Sequence, residues 1–349
     1  MVKGLFPASI AIVMMTACSV DEGYMGYDEP ATPEEITFSV TTTPASRQTS
    51  AAGSHDNDNE FFISARHDGI SFINEEPVSL AGGKWINNGK PHLWPAEGDV
   101  DFFAYQYDKS AMGGYAPVLD VEKDEARLCM FNVDNDASRQ AALRYATSLH
   151  RTADGGSVPV QFQQALSDIE FAAQNSSRRL HVEISEVTVS HVYMHGDFIF
   201  PYGRQQASWD VSISEPQSSK ATFPVKSIGN NMESLGAETT MHLIPQSQDN
   251  ATSEADYTDG ACITFRCAVW LLDEESESPE ESDTMLIGEK NPDGSVTFGE
   301  LRIPVSINWQ PGYRYIYSVN FGAGGNSCIP VAGGIMLPIA FSAHSEPIQ

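Results

Sequence analysis

The sequence predicts an all-β fold in two domains, and three observations lead there. Apolar and polar residues alternate in many short runs, such as Ile36-Thr37-Phe38-Ser39-Val40-Thr41 and Leu180-His181-Val182-Glu183-Ile184, with the period of a half-buried strand. Turn dipeptides, among them Asp68-Gly69, Asn88-Gly89 and Gly113-Gly114, separate several runs, as in a sandwich or barrel. No stretch carries the 3.6-residue period of a long amphipathic helix.

In chain order, the first element is an export signal. Met1-Val2-Lys3 is a short charged start, and the apolar run from Leu5 to Met15 is too short to span a bilayer. Met15-Thr16-Ala17-Cys18 then resembles the lipobox of a bacterial lipoprotein. That resemblance implies loss of residues 1–17 and a diacylglycerol on the Cys18 thiol; the alternative is an ordinary signal peptide that contains a cysteine. Ser19, Asp21 and Glu22 resemble the sorting context of outer-membrane lipoproteins, which implies a lipid-anchored protein of the cell outer membrane, facing outward in Bacteroidetes. Residues 18–34 have no apolar period and read as a flexible leash.

About 330 residues remain, more than one core usually serves, so two domains are expected, at 35–177 and 178–349. Their boundary falls near the polar break Asn175–Arg179. With 47 acidic against 20 basic residues the formal charge is −27, which repels phosphate backbones and anionic lipid heads and excludes nucleic acid as a partner. Cys129, Cys262, Cys267 and Cys328 form no CxxC or Cys/His cluster for zinc. Cys262 and Cys267 point to opposite faces of one strand and do not pair with each other; a Cys262–Cys328 bridge and unpaired buried thiols both remain open.

After the strand at Ile36–Thr41, the polar loop Pro44–Glu60 carries one basic residue, Arg47, in the kind of exposed segment that proteases cut. Strands follow at Phe61–Ala65, Ile70–Phe72, Gly82–Ile86 and Asp99–Tyr105, and Ala141–Leu149 reads as a strand rather than a helical turn. Ser157–Phe171 is the run that occupies the middle. Leu180–Val189, Trp209–Ile213, Ala221–Val225, Thr239–Ile244, Cys262–Leu272, Leu301–Ile307, Tyr313–Phe321 and Ile335–Phe341 complete the series. Asp273 to Asp283 is a dense acidic run that reads as a solvated hairpin tip, since no carboxylate spacing specifies a calcium cage.

Catalytic signatures are absent: there is no Gly-x-Ser-x-Gly, no His-Glu-x-x-His and no P-loop. No catalytic residue, metal ligand or cofactor is therefore assigned, and the chain reads as no enzyme. His191 and His195 lie in or beside a strand, where a spacing of four has no helical meaning. Asp168, Glu170 and Glu183 would form a glycosidase pair only if the fold converged two of them in a cleft. Trp85, Trp94 and Trp209 are either a sugar platform or, by default, core packing.

Four stretches resemble the fimbrillin family of Bacteroidetes, the lipoprotein precursors of surface pili. They are Trp94-Pro95 before the aromatic strand at Val100–Tyr105, Val158–Phe171 (with Gln164 where the family carries His), Leu243-Ile244-Pro245-Gln246, and Trp309-Gln310-Pro311-Gly312 leading into Tyr313–Phe321. The resemblance implies two tandem transthyretin-like β-sandwich domains and a fimbria (pilus) subunit in cell adhesion, with other pilus subunits as partners and a host or bacterial surface receptor in view. It also implies strand exchange: cleavage after Arg47, release of the first strand with its face Ile36, Phe38 and Val40, and filling of the groove by a neighbour's strand.

The last strand, with Ile335, Leu337, Ile339 and Phe341 on one face, has the matching period of two and is the candidate donor. Arg66 is the alternative cut, at the end of an apolar strand. The competing expectations are that both terminal strands close their own domains, which for the C-terminal strand would make the protein a tip or anchor subunit, or that it is a monomeric surface glycan-binding lipoprotein.

Overall fold

The computed structural model describes residues 34–42, 59–107, 116–122, 125–252, 257, 259–273, 278–323, 327–330 and 336–348. Residues from Glu34 onward form one compact unit. Its first strands in chain order are β1 (Phe38–Thr42), β2 (Glu60–His67), β3 (Ile70–Ala81), β4 (Lys84–Asn87), β5 (Val100–Tyr107), β6 (Val118–Val121), β7 (Ala126–Asn132), β8 (Leu143–Arg151) and β9 (Val158–Gln164). Seven of them close a barrel in the order β1-β4-β3-β2-β5-β8-β9. Its interior holds Phe61, Ile63, Ile73, Val78, Phe102 and Phe162, all nearly inaccessible to solvent. Gly82 and Gly83 turn the chain between β3 and β4 at φ 59° and 79°, backbone angles that favour residues without a Cβ.

β5 explains why its sequence does not alternate. Val100, Phe102 and Ala104 face the barrel core, whereas Phe103, Tyr105 and Tyr107 face a second, larger core, so the strand is buried on both sides.

That larger core lies among the strands that follow: β10 (Ser167–Asn175), β11 (Leu180–Tyr193), β12 (His195–Ile199), β13 (Ser208–Asp210), β14 (Pro216–Ser227), β15 (Glu233–Ser234), β16 (Met241–Leu243), β17 (Ser247–Gln248), β18 (Cys262–Leu271) and β19 (Thr284–Ile287). After them come β20 (Glu289–Lys290), β21 (Val296–Thr297), β22 (Gly299–Pro304), β23 (Ile307–Asn308), β24 (Tyr313–Phe321), β25 (Ser327–Pro330) and β26 (Met336–Pro347). One sheet runs β15-β10-β24-β26-β25, with β16 also on β10, and another runs β14-β11-β18-β19, with β22 on β18. Phe171 of the first meets Phe265 of the second edge to face at 6.3 Å, so their apolar faces pack together. A third sheet, β13-β12-β7-β6, adds Leu128, Phe131 and Phe198 to the same core.

The all-β expectation holds: among the described residues the helical pieces with full bounds are 3₁₀ turns at Ala137–Arg139, Ala153–Gly155 and Ala237–Thr239. No helix there is long and apolar enough to cross a membrane. Most of Ala141–Leu149 is a strand, β8, which starts at Leu143.

Several boundaries differ from the sequence reading. The run Val158–Phe171 divides at Ala165-Leu166, because β9 serves the barrel while β10 enters the large sheet. Leu301–Ile307 splits into β22 and β23, and Thr239–Ile244 contributes only Met241–Leu243. β6, β7 and β12 were not anticipated. Met130 has φ 62° and a register shift falls between Gly196 and Phe198, so the period of two breaks where β7 pairs with β12.

Candidate functional site: the seats of the first and last strands

β1 is the strand that closes the barrel. It lies parallel to β9, with Phe38 opposite Val158 and Thr42 opposite Phe162, and touches β4 through Phe38 opposite Trp85. Its lead-in is held by the backbone: Ile36 N–H donates to His92 O (2.8 Å), Trp94 N–H to Glu34 O (2.9 Å) and Val158 N–H to Thr37 O (2.8 Å). Ile36 and Phe38 are buried and Val40 half-buried, so the three residues read as one face do share one face. The Phe38 ring stands nearly perpendicular to Phe61 and Phe102 at 6.0 and 6.2 Å. Removing β1 would therefore open a slot lined by Phe61, Phe102, Val158, Val160 and Phe162, and would leave one edge of β9 unpaired.

β26 is paired within its own chain. Tyr313 to Phe321 of β24 run antiparallel to Pro347 to Ile339, and β25 covers Met336 to Ile339 from the other side. Leu337 and Ile339 are buried in the larger core, and Phe341 is half-buried, stacked on Tyr317 at 5.9 Å. Pro338, which has no N–H to donate, accepts from Gly322 N–H at 2.9 Å. Between residues 340 and 347 the strand has β24 as its one described neighbour.

Sequence reading missed the ionic chain that crosses this sheet. His242 of β16 contacts Asp168 of β10 at 2.7 Å, Glu170 of β10 contacts Arg314 of β24 at 2.9 Å, and Arg314 reaches Glu346 of β26 at 3.3 Å. Charged residues at alternate positions of an otherwise apolar strand, as at Asp168 and Glu170, are its one trace in the sequence. Burial, with the neighbouring Asp168 and Glu346 adding to it and Arg314 opposing it, raises the Glu170 carboxyl above the usual carboxylate range.

Cys18, Arg47 and Ile335 lie outside the described residues. Arg47 falls between the end of β1 at Thr42 and the start of β2 at Glu60. Arg66 is 2% exposed, pairs with Asp101 at 3.5 Å and lies over the Tyr202 ring at 4.6 Å, so a protease could not reach it.

The three carboxylates considered for chemistry do not converge in a cleft. Asp168 and Glu170 are committed as above, and Glu183 faces His181 at 3.3 Å on β11. Cys262 and Cys267 are free and buried, and burial pushes the Cys267 thiol up to about 12. β18 and β19, which flank the acidic run, pair antiparallel. There the Asp283 carboxylate accepts from the backbone N–H groups of Asp273 (2.8 Å) and Glu280 (2.6 Å). Among the described residues no group of His, Cys, Asp and Glu is arranged to hold a metal ion. Trp85 and Trp94 pack in or against the barrel core, while Trp209 lies far along the chain beside a cleft it shares with Trp309.

Three of the four stretches that carried the family resemblance meet in space. Trp309 N–H donates to Gln246 O (2.9 Å), Gly312 N–H to Leu166 O (3.0 Å) and Ser167 Oγ–H to Gln310 O (2.8 Å), so the Ile-Pro-Gln, Ala-Leu and Trp-x-Pro-Gly elements form one junction where β9 gives way to β10. Gly312, at φ 71°, supplies the left-handed turn. Trp94 does a comparable job in the barrel, where its backbone holds Glu34 and its ring meets Phe102 at 5.9 Å.

Comparison with known proteins accords with this geometry. A fimbrial protein from Bacteroides vulgatus overlays with a TM-score of 0.57 at 13% identity, over 90% of this chain and 99% of that one. A protein assigned to cell adhesion from Bacteroides uniformis gives 0.46 at 13% identity over 90% and 99%. The tip fimbrial protein Mfa3 from Porphyromonas gingivalis, with C-terminal truncation, gives 0.36 at 10% identity over 83% and 94%. No curated protein sequence matches the chain. The fimbrillin-like family model matches residues 34–335. On that extent of match, the chain belongs to the fimbrillin-like family, whose members are structural rather than enzymatic proteins.

Proposed function

We propose that the chain is a subunit of a surface fimbria, exported by residues 1–17, lipidated at Cys18 and carried to the cell outer membrane. There a protease cuts after Arg47, β1 leaves, and the matching strand of a neighbouring subunit takes its place. The observation that carries this reading is the position of β1. It closes a barrel as a short strand, and once the chain is cut between Thr42 and Glu60 it is held by non-covalent contacts alone. Burial of Ile36 and Phe38 is worth about 1.5–3 kcal/mol each, so the empty slot demands a replacement with the same apolar period. A last strand with Ile335, Leu337, Ile339 and Phe341 at every second position supplies it.

One observation favours a second reading. β26 makes a nine-residue ladder with β24 in its own chain, which suits a tip or anchor subunit that receives a strand and gives none.

The test is the N-terminus of the protein recovered from its own cells, by mass spectrometry. A start at Gln48 in heat-labile, high-mass ladders is the expected result for a shaft subunit. A start only at lipidated Cys18, always in monomers, would end the shaft reading and leave an anchor subunit or the monomeric glycan-binding lipoprotein.

A further inference from the structure

The junction of the family elements carries a cleft of about 630 Å³, within the size range of small-ligand sites. Its walls come from β8 and β9, from the loop after β12, from the Pro245 turn and from the Trp309–Pro311 turn. In a chain with a formal charge of −27, no residue lining this cleft is charged. An ionic ligand would find no counter-charge there, and the polar groups present are carboxamides and hydroxyls.

Aromatic side chains, Tyr145, Trp209 and Trp309, line part of it. Trp309 is buried and Trp209 half-buried, and both indoles are fixed by their N–H groups: Trp209 Nε1–H donates to Ala165 O (2.9 Å) and Trp309 Nε1–H to the Tyr317 hydroxyl (3.0 Å). Their polar atoms are thus satisfied inside the protein, and what Trp209 offers the cleft is ring surface. Around the rim Gln163, Gln205, Gln206 and Gln310 are exposed. A carboxamide both donates and accepts, as paired hydroxyls require. Pro201, Pro245 and Pro311 stiffen the walls, which lowers the ordering cost of binding.

A flat apolar ring face beside neutral two-way hydrogen-bonding groups matches a pyranose, with its C–H face and its ring of hydroxyls. We propose that this cleft binds an uncharged oligosaccharide. The proposal does not depend on strand exchange, since none of the cleft's walls belongs to β1 or β26.

The test is titration calorimetry with tryptophan fluorescence on the full chain. Malto-, cello-, xylo- and manno-hexaose are used at up to millimolar concentration, with a heparin hexasaccharide and a proline-rich peptide for comparison. Saturable binding of at least one neutral hexasaccharide with a change in tryptophan emission is expected. The double variant Gln206→Ala/Gln310→Ala, at exposed positions, should weaken it about tenfold without moving the thermal midpoint, as loss of two net hydrogen bonds implies. No binding by any neutral sugar, unchanged binding in the double variant, or tighter binding of heparin or the peptide would overturn the proposal.

Discussion

Arg66 shows how far a single side chain can depart from its apparent place in a sequence. It reads as a basic residue at a strand end, yet its guanidinium is buried between Asp101 and the ring of Tyr202. Removing one member of such a pair leaves the other charge uncompensated out of water. Asp101→Ala and Arg66→Met are therefore each expected to cost about 3–5 kcal/mol in urea unfolding monitored by fluorescence, and the double variant clearly less than their sum. Strictly additive costs would refute the pairing.

His242 adds a pH dependence. Burial by itself would lower its pKa, but the charge and hydrogen bond of Asp168 outweigh that, and the folded value lies above the ordinary 6.5. A raised folded value gives stability that is complete below 6.5 and is lost as pH rises through the folded value. Glu170, also raised, acts with the same sign but from its ordinary 4.5 upward. Thermal midpoints should thus fall from pH 6.5 upward, and His242→Gln should flatten that slope; an unchanged slope would remove His242 as its source.

At the scale of elements, β1 and β9 offer a direct handle on the proposed exchange. Thr41 and Gln161 are register partners and both are exposed, so Thr41→Cys/Gln161→Cys places two cysteines side by side on adjacent strands. With the disulfide formed, cleavage after Arg47 should still occur while high-mass ladders vanish, and reductant should restore them. Ladders that persist with the bond intact, checked by non-reducing mass analysis, would exclude release of β1.

Much of the element order was legible. β24 announced itself because Trp309-Gln310-Pro311-Gly312 is turn chemistry and the strand after it alternates, and β1 because Ile36, Phe38 and Val40 keep a strict period. The division of β9 from β10 was not legible, since apolar residues continue through Ala165-Leu166 and only the choice of core separates the halves. Nor was the pairing of Arg314 with Glu346, which lies across strands and looks in sequence like two solvent-facing charges. The cleft was out of reach for the same reason: Trp209 and Trp309 are brought together by tertiary packing alone.

For the whole molecule, the two terminal strands belong to different parts of the fold, β1 to the barrel and β26 to the large sheet. Under the proposed exchange the surface that receives is not the surface that gives. Such head-to-tail contacts produce an open filament unless a rotation closes them. The acidic charge of −27 works with that, keeping assembled and unassembled copies from clumping through their flanks.

The parallel pairing of β1 with β9 has a kinetic side. Thr41 and Gln161 are 161 − 41 = 120 residues apart, and among named strand pairs only β1–β9 and β10–β24 run parallel. Such a contact must overcome a large loop-closure entropy before it returns any stability, and distant pairings form slowly. β1 emerges from the ribosome first of the described strands and has to wait for its partner, so late closure of the barrel is the expected order. Tying residue 41 to residue 161 would remove about 5 kcal/mol of that entropy from the unfolded chain, and the oxidised double-cysteine variant should refold faster than its reduced form. Under the proposed exchange, a bolt that slides home last is also one that a single cut would set free without dismantling what was built before it.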